Sequence, residues 1–135
     1  MQLTNRRVHL MGTVIDVSIY HKQPEPLLDQ VEALLNLYNK RFSANDASSE
    51  LMKINKAAGL HPVKIHPELF ELISLGKWHS CQPGSHLNIA IGPLIQTWRI
   101  GFSDARLPFP EEITLLLDII NPNAIVLSEE NRSEE

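Results

Sequence analysis

Apolar and polar residues alternate between positions 13 and 20, so this segment has one largely apolar side. That side carries Thr13, Ile15, Val17 and Ile19. A period of two residues predicts a half-buried β-strand. Val8 and Leu10 lead into this strand through Met11-Gly12, where the glycine permits a bulge or a close approach of the backbone.

Farther along, apolar residues recur every three or four positions, which predicts a long helix that begins near Glu25 after proline-rich residues. Its inward face is predicted to carry Leu27, Leu28, Val31, Leu34, Leu35, Tyr38 and Phe42. A second helix is predicted at 49–58, with Asp46 or Ser48 as its cap and Gly59 at its end.

The rest of the chain predicts three more helices, which begin near Pro67, Gly92 and Glu111. The first of these is expected to end near Cys81, a half-buried thiol, and to turn Leu69, Leu72, Ile73 and Trp78 inward. Short strands are predicted at 63–65 and 124–127. Because helices outnumber strands too strongly for a complete α/β sheet, the predicted fold class is α+β.

Composition and charge narrow the function only by exclusion. The length of 135 residues suits one domain, and the net charge of −4 arises in the last thirty residues, which sum to −5. Without a basic stripe, nucleic-acid binding is not expected. No apolar run reaches 18 residues, so no transmembrane helix is predicted. The acidic end, 128–135, is expected to be a solvated, disordered tail.

Six histidines and one cysteine show no spacing typical of a metal site or of a nucleophilic triad. His66 and His79 are interpreted as helix-start and helix-end residues. The Gly92-Pro93 step either presents open N–H groups to a phosphate or simply starts a buried helix. Trp98 is either an aromatic residue beside a flavin or a core residue, and core packing is the favoured interpretation. The residues alone therefore indicate an α+β domain without assigned chemistry.

Four collinear segments extend this picture. They are Met11-Gly12-Thr13; Arg41-Phe42-Ser43 with Ser49-Glu50-Leu51 and Ile54-Asn55; Val63 with the segment Pro67 to Leu72; and the segment Leu87 to Leu94 with Trp98 and Gly101-Phe102. Together they resemble the N-terminal half of the ApbE family of FAD:protein FMN transferases. The resemblance implies the N-terminal part of an ApbE-type (T-fold-like) domain at 1–127, with helices packed on a small, mostly antiparallel sheet.

The resemblance implies FAD as substrate, Mg²⁺ as cofactor, and transfer of FMN onto a threonine of a target flavoprotein, with release of AMP. The family's later D-L-G-G-x-A-K-G segment does not occur here, and the Mg²⁺ ligands are expected in that absent half. The 135-residue chain is therefore expected to be an inactive half that self-associates through exposed apolar surface. The alternative is a non-catalytic flavin-binding or protein-interaction domain.

Carried over by position, the FAD-binding residues implied by the resemblance are Met11, Asn45, His86, Leu87 and Asn88. The family has tyrosine near the adenine where Asn45 stands, aspartate at Asn88 and threonine at Ala90, so these three positions depart from its pattern. No catalytic residue and no metal ligand is assigned. Many members of the family are secreted lipoproteins. The chain as written shows no leader and is expected to be cytoplasmic. If a leader was removed, the protein is expected to be a cell-envelope lipoprotein.

Overall fold

The computed structural model describes residues 1–129, which fall into a first unit of residues 1–69 and a second unit that begins at Phe70. The single domain expected for 1–127 stays a prediction. From position 130 onward, the predicted acidic tail lies outside the described residues. None of the helices in the described part combines the length and apolar character that a membrane crossing requires.

The first unit is built on a β-hairpin. Strand β1 (Gln2–Leu10) pairs antiparallel with strand β2 (Thr13–His21), in a register that sets Leu10 opposite Thr13. The predicted strand and its apolar side are confirmed, since Ile15, Val17 and Ile19 are less exposed than their neighbours. Strand β1 was missed, although it completes the only sheet among residues 1–129.

Helix α1 (Pro24–Phe42) packs against both strands of the hairpin, as its apolar stripe predicts. Leu28 is the most buried residue of α1, at 1% exposure. Leu34 was wrongly assigned to the inward face, because it is 48% exposed. The buried stripe is thus narrower than the apolar stripe in the sequence.

Ion pairs reinforce the same contact. The Arg6 guanidinium on β1 lies 2.7 Å from Glu25, 2.7 Å from Asp29 and 3.1 Å from Glu32. These three carboxylates recur at helical spacing along α1, so one inward-facing arginine meets a row of acids. The hydrogen bonds that Arg6 donates to this row, above all to Asp29, raise the pKa of Arg6. Since the acids are exposed, the network orients α1 more than it stabilises the fold.

Helix α2 (Glu50–Ala57) closes the first unit. Its N-cap is Ser49, whose hydroxyl accepts a hydrogen bond from the Met52 N–H, so the prediction of Asp46 or Ser48 as cap was wrong. The predicted end at Gly59 is confirmed, because this glycine has a left-handed φ of +77°.

The second unit is mainly helical. Helix α3 (Pro67–Ser80) starts in the first unit and continues into the second, where α4 (Gly92–Trp98), α5 (Pro110–Leu117) and a 3₁₀ turn (Pro122–Ala124) follow. The three predicted helix starts are confirmed to within one residue. The two predicted short strands are wrong: 63–65 contributes only an isolated bridge at Ile65, and 124–127 is the end of the 3₁₀ turn followed by irregular chain.

Several side chains predicted to be buried in the second unit are exposed. Leu72 is 51% exposed and Trp78 is 59% exposed, and the Cys81 thiol is exposed rather than half-buried. A helical period identifies which residues share a face, but it does not show whether another element covers that face. The α+β class itself is confirmed.

Candidate functional site

An open concavity of about 490 Å³ lies in the first unit, where the turn between β1 and β2 faces the end of α1 and the loop that follows it. It is lined by His9, Leu10, Met11, Gly12, Thr13, Val14, Asn39, Ser43, Asn45 and Asp46. This volume falls in the range of small-molecule sites in proteins. Two of the five residues assigned to FAD binding, Met11 and Asn45, are thus brought together here.

The hairpin turn at this concavity has an unusual backbone. Both of its central residues have positive φ, 56° at Met11 and 71° at Gly12. Two-residue hairpins prefer such angles, but they favour Asn, Asp or Gly there, and a left-handed methionine costs about 1–3 kcal/mol. The predicted close approach at Gly12 is confirmed, because a Cβ on this residue would lie 2.8 Å from Asn45 Nδ2.

Hydrogen bonds hold both main-chain groups of Met11. Its N–H donates to Asn39 Oδ1 at 3.2 Å, and its carbonyl accepts from Asn45 Nδ2 at 3.5 Å. The first partner lies at the end of α1 and the second in the following loop. The turn is therefore held in its strained conformation by side chains from two different segments.

Two serines of the sequence motifs hold the loop that carries Asn45. The Ser49 hydroxyl, fully buried, donates to the Ser43 carbonyl at 2.6 Å while it caps α2. The Ser43 hydroxyl accepts from the Asn45 N–H at 3.2 Å. These motif serines thus have a structural role in placing the loop against the turn.

The charged residues of the same motifs secure the start of α3. Arg41 pairs with Glu68 at 2.9 Å, and the Glu50 carboxylate accepts from the His66 N–H. The His66 ring nitrogen in turn accepts from the Glu68 N–H at 3.1 Å, which confirms its role as a helix-start residue. The motif that carried the resemblance therefore serves mainly to fix the framework around the concavity.

Asp46 supplies a negative charge at the concavity. Its carboxylate accepts from the Ser48 hydroxyl at 2.6 Å, from the Ser48 N–H at 2.9 Å and from Asn39 Nδ2 at 3.3 Å. These bonds, with Ser48 contributing most, hold the pKa of Asp46 below its usual range, so the group is ionised at neutral pH.

The polar groups of the concavity favour a neutral, hydrogen-bonding ligand group. Its lining residues include two amide side chains, one carboxylate and one histidine, and neither lysine nor arginine is among them. A phosphate is normally met by cationic side chains or by a helix N-terminus. A heteroaromatic base, which offers donors and acceptors without charge, suits this lining better.

The other three assigned residues lie in an irregular segment of the second unit, and Asn88 starts a turn in which its carbonyl accepts from the Ile91 N–H at 3.3 Å. His86 is exposed and Leu87 is 50% exposed. Asn88 is half-buried and uses both ends of its amide within the unit: Oδ1 accepts from the Ala90 N–H at 2.8 Å, and Nδ2 donates to the Ile120 carbonyl at 2.7 Å. Their role in FAD binding stays a prediction.

Replacing Asn88 with the family's aspartate is expected to destabilise the chain. A carboxylate cannot donate to the Ile120 carbonyl and would set a negative charge against it. The lost bond and the unsatisfied carbonyl should lower the free energy of unfolding by about 1–3 kcal/mol. Urea unfolding of Asn88→Asp would be compared with that of Asn123→Asp, an exposed asparagine of the same unit. Equal effects of the two substitutions would show that the Ile120 contact does not matter.

Sequence reasoning missed three residues of the concavity, namely Asn39, Ser43 as a loop anchor, and Asp46. Asn39 stands four residues after Leu35, on the side of α1 that otherwise carries apolar residues. A polar residue on an inward face is a signal of a specific partner, and this signal could have been used.

The described residues do not fit the Mg²⁺ that the resemblance implies. Within residues 1–129, no three or more His, Cys, Asp or Glu side chains are grouped so that they could hold a metal ion. Magnesium needs oxygen ligands in near-octahedral arrangement, usually including carboxylates. No metal-dependent step is therefore derived for this part of the chain.

Residues 11–135 match the family model of the ApbE family. The FAD:protein FMN transferase of Klebsiella pneumoniae is 38% identical over 120 residues, which are 89% of this chain and 38% of that protein. The FAD:protein FMN transferase of Treponema pallidum is 31% identical over 108 residues, 77% of this chain and 30% of that protein. The chain thus spans about a third of the length of these relatives.

Two solved structures share the fold. The ApbE protein of Thermotoga maritima matches with a TM-score of 0.84 at 19% identity, over 96% of this chain and 43% of that one. The apo form of the Pseudomonas stutzeri flavinyl transferase ApbE matches with a TM-score of 0.70 at 20% identity, over 90% of this chain and 40% of that one. At such identities the likeness concerns the fold alone.

Proposed function

The chain belongs to the ApbE family, and we propose that it forms an FAD-holding part of an FAD:protein FMN transferase. The names of the two curated relatives, FAD:protein FMN transferase, support this reading. Because the chain covers about a third of each, its contribution is proposed to be substrate binding rather than the complete reaction.

In the proposed reaction, a threonine hydroxyl of the target flavoprotein attacks the FMN phosphorus of FAD. A P–O bond forms to the threonine oxygen, the bond from the FMN phosphorus to the bridging oxygen of the pyrophosphate breaks, AMP leaves with that oxygen, and the hydroxyl proton is released to solvent. Mg²⁺ is proposed as the cofactor of the complete enzyme. The described residues contribute the placing of FAD, since they offer no metal site.

The observation that supports FAD binding best is the concavity at the strained turn. A left-handed methionine is held there by two side chains, and strained backbone persists mainly where function requires it. Since the lining lacks lysine and arginine, we assign the adenine end of FAD to this concavity. Met11 and Asn45 would contact the base, and the Asn45 amide offers both a donor and an acceptor.

Roles in FAD binding are also proposed for His86, Leu87 and Asn88 of the second unit. The support here is their match to the family's motif. Since both ends of the Asn88 amide are bonded within the second unit, its contribution to FAD would come through the shape of the turn. Leu87, which is half exposed, offers apolar surface.

Calorimetric titration of the 135-residue chain with FAD tests the proposal. We expect FAD to bind and AMP to compete with it, whereas FMN, which lacks the adenosine, should compete poorly. Asn45→Ala should weaken FAD binding by about 2- to 10-fold, as expected for the loss of one hydrogen bond. Asn36→Ala, an exposed asparagine on α1, is the matched control and should bind FAD normally. The absence of FAD binding by the wild-type chain would overturn the proposal.

A second candidate function is a non-catalytic protein-interaction domain. It is favoured by an exposed apolar row on the second-unit part of α3, where Leu72, Leu75 and Trp78 are 51%, 53% and 59% exposed. These residues lie three positions apart and therefore share one helix face. Self-association would be one use of this row. A folded chain that binds neither FAD nor AMP would favour this second function.

A further inference from the structure

Asn39, at the end of α1, joins the hairpin turn to the Asn45 loop. Its Oδ1 accepts from the Met11 N–H at 3.2 Å, and its Nδ2 donates to Asp46 Oδ2 at 3.3 Å. The two partners lie 28 residues before it and 7 residues after it in the chain. We propose that Asn39 is a positioning residue for adenine binding, an inference that rests on the proposed function.

The chemistry of this position requires an amide. One partner is an N–H, which needs an acceptor, and the other is an ionised carboxylate, which needs a donor. Asparagine offers both on one short side chain. Aspartate would keep an acceptor for Met11 but would set a second carboxylate against Asp46. An apolar residue would remove the acceptor of the Met11 N–H and the donor to Asp46 Oδ2.

The two hydrogen bonds of Asn39 are shorter than the one that joins the turn directly to the loop. The direct bond, from Asn45 Nδ2 to the Met11 carbonyl, is 3.5 Å long and therefore weak. Asn39 holds the other main-chain group of Met11 as well as the carboxylate next to Asn45 in the chain. It acts on the adenine through Met11 and Asn45, so its loss should weaken FAD binding without removing a direct contact.

A reciprocal exchange tests this inference. Asn39→Asp should weaken FAD binding by about 10-fold or more, because two carboxylates then face each other. The double variant Asn39→Asp/Asp46→Asn restores an amide opposite a carboxylate, with Met11 and Ser48 still served by oxygen acceptors. Its affinity for FAD should lie within about 3-fold of that of the wild type. Such a recovery would show that positions 39 and 46 interact, which single variants cannot show. Asp46→Asn alone should not bind more tightly than the wild type.

The controls separate positioning from folding. Asn36→Asp makes the same charge change at an exposed site of α1 and should leave FAD affinity unchanged. Urea unfolding of every variant shows whether affinity follows stability; a merely structural Asn39 would shift the unfolding midpoint while the folded protein kept its FAD affinity. If Asn39→Asp does not fold, the double variant Asn39→Asp/Asp46→Asn tests the inference instead. A double variant that folds but binds FAD poorly would overturn it.

Two further outcomes are distinct. If the wild-type chain binds no FAD, the proposed function fails and the inference fails with it. If the wild-type chain binds FAD and Asn39→Asp binds it equally well, only the positioning role of Asn39 is overturned.

Discussion

Incubated with FAD, Mg²⁺ and a threonine-containing acceptor protein, the 135-residue chain is expected to yield no flavinylated product detectable by mass spectrometry. Catalysis of phosphoryl transfer depends on positioning and on neutralising charge at the phosphates. Residues 1–129 can contribute to the first, but they contain no cluster of side chains able to hold the metal. If the metal supplies about 4 kcal/mol of stabilisation to the transition state, its loss slows the reaction about 1000-fold.

The positive control is the Klebsiella pneumoniae FAD:protein FMN transferase, of which this chain matches 38%. It should modify the same acceptor under the same conditions. Parallel FAD titration of the chain shows whether a negative result reflects lost binding or lost chemistry. Robust flavinylation by the chain alone would contradict the prediction and would show that the described residues, or the few after them, complete an active site.

The hairpin shows how far the sequence predicts the fold. Strand β2 was found because its inward positions are apolar, but β1 was missed because two of its inward positions, Thr4 and Arg6, are polar. Arg6 is stable there only because α1 brings Glu25, Asp29 and Glu32 to it. These ion pairs depend on tertiary packing, so they cannot be predicted from the alternation of apolar residues.

Helices were predicted better than strands for a physical reason. A helix satisfies its own backbone, so its period and its proline starts suffice to locate it. The segments 63–65 and 124–127 have strand-like composition, but strand formation requires a paired neighbour. Among residues 1–129, the only ladder is the one between β1 and β2.

The candidate site was predicted in part. Met11 and Asn45 came from resemblance, and the structure places them at one concavity, although their role in FAD binding stays a prediction. Spacing could mark Asn39 as a polar residue on an inward face, but it could not identify Met11 and Asp46 as its partners, because the contact with Met11 depends on how the end of α1 meets the hairpin. A local sequence motif identifies residues of the framework. Which side chains line the site depends on contacts between distant parts of the chain.

Leu28→Ala is expected to lower the free energy of unfolding by about 2–5 kcal/mol, because it would leave a cavity where α1 packs on the hairpin. Leu28 is 1% exposed, so the substitution removes methyl groups that are fully buried. Leu34→Ala on the same helix is the matched control; at 48% exposure it should cost less than about 1 kcal/mol. Urea unfolding of both variants measures the difference. Similar losses would mean that α1 presents a different face to the hairpin, and the site at its C-terminal end would then have to be placed anew.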